Sequence, residues 1–222
     1  MPHGSLSLPA RLYLLSWDTT RLRVTGASQL PHLVRAGALT ELAQRGLLTD
    51  EEGVVRVTDP DVRTGDTVLD GLLELIAESR PRKWKSWVTS RTGVTLDAVR
   101  EQLVAEGYLG VGRKRVLGVF PSVDYTLERV PVVSALRTDA RAALTGPEPV
   151  DEVGDRDAAV VALAVAAEVR TFSSSKERRA HKVRVDALTA RSGAVAPALG
   201  KAIREMQAAL AVAVTSVAVT SS

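Results

Sequence analysis

Proton transfer and metal ligation both call first on histidine, and the chain has three, His3, His32 and His181. They lie in separate stretches, none with a carboxylate or second histidine at i+4, so the spacing of a zinc-binding helix is not present. There is no cysteine, which removes thiolate nucleophiles, thiolate metal sites and disulfides. No Gly-x-Ser-x-Gly turn presents a serine, and no glycine-rich loop ends in Gly-Lys-Ser/Thr to cradle phosphates. The glycines of GVGRKR (110–115) precede a strand pattern, with no helix N-terminus behind them to aim at a pyrophosphate. Glu51 and Glu52 sit in a solvated turn. The chain is therefore expected not to be an enzyme, with no catalytic residues, no metal and no cofactor.

What remains is cation chemistry beside apolar or aromatic side chains. SRPRKWKSW (79–87) sets Arg80, Arg82, Lys83 and Lys85 among Trp84 and Trp87, a pattern that also suits a buried tryptophan rimmed by charge. GRKRVLGVF (112–120) sets Arg113, Lys114 and Arg115 at the expected tip of a hairpin, with Val116, Leu117, Val119 and Phe120 on the returning strand. A helix followed by such a hairpin suits a DNA wing, a membrane finger or a self-association surface. The DNA reading needs a helix face rich in groups that face bases and phosphates. The helix over 95–106 instead offers Asp97, Glu101 and Glu106 against Arg100, so it repels phosphates and nucleic acid is disfavoured as a partner. At an anionic leaflet each basic residue contributes about 1 kcal/mol, and one large inserted apolar side chain adds roughly 1.5–3 kcal/mol. Arginine also grips a phosphate with two charge-assisted bonds. The alternative is a protein-interaction module that self-associates through the apolar strand of the hairpin as a homo-oligomer, with no lipid.

These groups have to be held by a scaffold, and the sequence describes a mainly α-helical one. Helices are expected over 6–17, 31–45, 64–80, 95–106, 131–145, 155–170, 175–191 and 197–214. Thr64 or Asp66 can cap the third of these, and Pro81 ends it. A strand is expected at 21–25, and hairpins around Asp50-Glu51-Glu52-Gly53 and over 109–120. The plan of helix, glycine and basic-flanked hairpin occurs twice, too few copies for a solenoid. Aromatics are only 4% of the residues, so aliphatic side chains must fill the core. The net charge of +3 implies at most a local basic patch on a nearly neutral body. With no secretory leader pattern and an apolar tail shorter than a span, the chain is expected as one cytoplasmic domain over 1–222, peripheral to a membrane.

Three stretches, LVRAGALTELAQRGLL, RTGDTVLDGLLELI and VREQLVAEGYL with its hairpin, resemble the Golgi phosphoprotein 3 family in order and spacing. The resemblance covers nearly the whole chain and implies a helix bundle ringed by amphipathic helices, with one projecting β-hairpin for membrane contact or self-association. It implies phosphatidylinositol 4-phosphate binding, in eukaryotic members, by an aromatic residue and three arginines. Arg35 and Arg100 match two of the arginines. The third position falls on Asp97 and the aromatic one near Gly26, with Arg23 and Trp17 as candidates to compensate. Asp97, one turn from Arg100, is placed to pair with it. The expected function is thus a peripheral protein on an anionic phospholipid surface, with Arg35, Arg100, Arg23 and Trp17 at the headgroup.

Overall fold

The computed structural model describes residues 6–116 and 120–193, together with 204, 205, 207–210 and 212. Helix α1 (Leu8–Leu15) has every residue buried, Arg11 included. Its sequence, LPARLYLL, is apolar nearly all round, and such a helix must be enclosed by others. Helix α2 (Leu30–Gln44) packs closely on it because Gly37 has no side chain. A Cβ there would lie 2.6 Å from Leu12 Cδ1 and 3.3 Å from the Pro9 backbone. Helix α7 (Asp155–Ala166) is the third inner helix, buried from Ala158 through Ala164. One carboxylate ties the three together. Buried Glu41 accepts from the Leu8 backbone N–H at 2.5 Å, from Arg45 at 2.6 Å and from Arg156 of α7.

Around these lie α3 (Thr67–Ala77), α4 (Trp84–Thr89), α5 (Thr92–Ala105), α6 (Val130–Thr145), α8 (Ser175–Ala180) and α9 (Lys182–Ser192). On α3 the expected stripe, Leu69, Leu72, Leu73 and Ile76, is buried together with Val68. Three two-stranded antiparallel sheets complete the described fold: β1 (Trp17–Asp18) with β2 (Arg23–Val24), β3 (Leu48–Glu51) with β4 (Val54–Val57), and β5 (Leu109–Val116) with β6 (Phe120–Leu127). The core runs as one cluster from Leu6 to Leu210. Among the described residues no helix is long and apolar enough to cross a membrane.

Several boundaries differ from expectation for local reasons. The segment 175–191 is two helices, because the backbone departs from helical geometry at His181, which ends α8 and precedes α9. Helix α7 stops at Ala166, and Glu168 takes a left-handed φ of 51°. The strand expected at 21–25 shrinks to two residues, and the chain before it, Trp17–Asp18, is its partner. Of the helix expected over 197–214, residues 204, 205, 207–210 and 212 are helical, with Ala209 and Leu210 buried. The remainder lies outside the described residues.

The larger correction concerns the hairpin. Arg113, Lys114 and Arg115 lie within the outgoing strand, opposite Val123, Ser122 and Pro121, and the return strand runs on to Leu127. Period-2 pairing persists through PSVDYTL, so the arm is longer than the expected 109–120. Of the residues assigned to it, Leu117 and Val119 lie outside the described residues, and Phe120 pairs with Val116.

Candidate functional site

Arg35 is fully buried on α2. Its Nε donates to Thr95 Oγ1 at 2.7 Å and its Nη2 to the Arg91 carbonyl at 2.7 Å, which clamps α2 to the start of α5. Among the described residues no carboxylate pairs with it, and Nη1 has no partner. Burial pushes the guanidinium down to about 10, because the charged form has lost its water. Arg91 itself holds a left-handed φ of 50° at the N-cap of α5.

Arg100 has a different environment. Its Nη1 pairs with Asp97 at 3.3 Å, as the i, i+3 spacing implied. Its guanidinium lies over the rings of Tyr125 at 5.1 Å and Tyr13 at 5.9 Å, joining α5, the hairpin and α1. Burial raises the Tyr13 phenol above its usual range, with Arg100 pulling the other way. Arg35 and Arg100 thus have separate protein partners among the described residues.

Trp17 is also interior, 1% exposed, while Arg23 is exposed. Arg23 lines a cavity of ≈ 850 Å³ framed by the β1–β2 hairpin, the start of α2, Arg137 of α6 and the segment after α7. Gly26, the position matched to the family's aromatic residue, lines it too. The carbonyl of Trp17 accepts from Arg137 Nη2 at 2.5 Å, so the tryptophan's backbone helps to position a cavity arginine. Arg21 and Arg170 complete a set of four arginines, facing Asp18 and Glu168. Leu30, Leu33 and Val169 give the cavity a buried apolar floor. Composition and spacing did not single out Arg137 or Arg170. They reach this wall from sequence positions more than a hundred residues beyond Arg23, and only the packing of α6 and α7 brings them there.

The hairpin is the other candidate surface. Its root is held by buried Leu109 and Leu127. Beyond the root, Val111 is 49% and Val123 55% exposed, and their register, Val111 opposite Tyr125 and Arg113 opposite Val123, makes them diagonal neighbours on one face. Trp84 and Trp87 are both buried; Trp84 Nε1 donates to Asp50 Oδ2 at 2.7 Å, and Arg82 lies 5.4 Å from the Trp87 ring. That cluster is core, with its charges at the rim. Among the described residues no group of three metal-ligating side chains forms.

The molecule is therefore a mainly helical protein with short hairpins and four arginines lining one cavity. It belongs to the Golgi phosphoprotein 3 (GPP34) family, whose model matches residues 8–206, most of the chain. No curated protein matches it.

Proposed function

We propose that the chain is a non-enzymatic peripheral membrane protein that binds anionic phospholipid headgroups at the cytoplasmic face of a membrane. The observation that carries this reading is the β5–β6 arm. It is anchored by buried residues at its root, bears two exposed valines on one face, and has Arg113, Lys114 and Arg115 further along its strand. Apolar side chains next to cations suit the layer where acyl chains meet headgroups. Family membership supports the same reading. On this account Arg35 and Arg100 build the frame that carries the arm, Arg100 directly through Tyr125, and exposed arginines such as Arg23 meet the headgroups.

Each valine is already about half exposed, so seating it in the interface contributes on the order of 1 kcal/mol. The double variant Val111→Ser, Val123→Ser should therefore lose roughly tenfold or more in affinity for phosphatidylglycerol vesicles, measured by co-sedimentation. Unchanged affinity would overturn the role of the arm. A second reading has its own observation: among the described residues the hairpin is a two-stranded sheet with unpaired edges, which a second copy could extend. Sedimentation velocity on a chain lacking residues 112–118 tests it, since an unchanged oligomeric state removes self-association through the arm.

A further inference from the structure

We infer that the cavity between the β1–β2 hairpin, α6 and the segment after α7 is a binding site for a phosphomonoester dianion. It is distinct from the Arg35 and Arg100 positions that the family resemblance points to. The argument begins with how the four arginines are occupied. Arg137 is fixed by donating to the Trp17 carbonyl and, at 3.3 Å, to Thr19 Oγ1, while its Nε is buried without a partner. Arg21 is 4.0 Å from Asp18. The side chains of Arg23 and Arg170 make no hydrogen bond or ion pair among the described residues, although most arginines of this protein are tied to carbonyls or carboxylates.

The opposing carboxylates are partly engaged elsewhere. Glu168 is 3.6 Å from Arg178, and Asp18 accepts from the backbone N–H groups of Thr20 and Arg21. The lining holds four arginines against two carboxylate residues, a formal surplus of two positive charges around one concavity. A phosphodiester carries one negative charge, whereas a phosphomonoester carries close to two at neutral pH and offers three acceptor oxygens. Two free arginine forks match that charge and geometry. The backbone is unusual on both walls: Leu22, between Arg21 and Arg23, holds φ at 49° and Glu168 at 51°. Such conformations are disfavoured for these residues, and both fall in segments that contribute arginines to the cavity lining. The buried apolar lining residues Leu30, Leu33 and Val169 suit the carbon portion of such a ligand.

The same chemistry is presented by a soluble phosphomonoester and by a lipid such as phosphatidic acid, and only the lipid source rests on the membrane reading above. Two measurements on the whole chain separate them. Calorimetric titration with glycerol 3-phosphate should show saturable binding that falls at least tenfold in Arg23→Ala, Arg170→Ala, with glycerol 3-phosphate favoured over a phosphodiester probe such as glycerophosphoglycerol. Both side chains are exposed and unpartnered, so circular dichroism of the variant should match that of the unmodified chain. In the second arm, vesicles containing phosphatidic acid should retain the unmodified chain more strongly than vesicles with equal surface charge from phosphatidylglycerol, and the variant should lose that preference. Glycerol 3-phosphate binding without a vesicle preference assigns the site to a soluble ligand. Glycerol 3-phosphate binding by a chain that ignores all vesicles leaves this site standing while the membrane reading fails. No glycerol 3-phosphate binding, equal binding of diester and monoester, or binding indifferent to the two substitutions overturns the proposal.

Discussion

Arg35 and Arg23 carry the same guanidinium but do opposite things, and the difference lies in what surrounds each. Arg35 has exchanged its water for a threonine hydroxyl and a backbone carbonyl, so its planar fork holds two elements together. Lysine cannot reproduce both bonds. Arg35→Lys should lower stability by about 1–3 kcal/mol in chemical denaturation, and an unchanged midpoint would contradict the clamp. The pattern is general here: Arg129 caps α5 through the Glu106 and Gly107 carbonyls, and Arg141 reaches the Phe172 carbonyl. This is why arginine counts in the sequence overstated the cations available to a ligand. A charge effect with a definite sign belongs to Glu177. Its carboxylate is held below the ordinary 4.5, first by the Ser174 backbone N–H, then by the Ser174 hydroxyl and Arg141. A depressed carboxylate stabilises the fold above its unfolded value and loses that contribution as pH falls through its folded one. Glu177→Gln should therefore melt below the unmodified chain at pH 7, with the gap closing as pH drops below about 4.5. A gap independent of pH would refute the charge contribution.

The clearest local signals in the sequence became whole elements. In RTGDTVLDG, Asp66 accepts from the N–H groups of Val68 and Leu69, and Thr64 binds Asp70 through both its hydroxyl and its N–H, each at 2.7 Å. Gly65 between them takes φ of 77°. This stretch of the family resemblance is thus a device for starting α3, and Asp66 also accepts from Gln102 of α5. Asp66→Ala should cost about 1 kcal/mol, checked by thermal unfolding; no loss would show that the cap is dispensable. Periodicity located α2, α3 and the inner face of α5, because a 3.6-residue stripe survives any tertiary context. It missed the break at His181, since charged residues on both sides of the break give no apolar phase to interrupt. It also truncated the hairpin, because Pro121 reads as a stop although an edge position can forgo its N–H.

At the scale of the whole molecule, the net charge is small, yet four arginines line one cavity, two of them without a side-chain partner among the described residues, and two exposed valines sit on one arm. Fold class was legible from helical spacing, the scarcity of aromatics and the order of the motifs. The cavity was not, because its arginines come from the β1–β2 hairpin, α6 and the segment after α7, and no linear pattern joins them. The measurement that tests the central claim most directly is flotation of the 222-residue chain with vesicles of phosphatidylcholine alone and with added anionic phospholipid. The account predicts flotation only with the anionic vesicles, weakening as salt shortens the reach of the surface charge. A chain that stays at the bottom of the gradient with every composition at low salt, or floats equally with neutral vesicles, would contradict it.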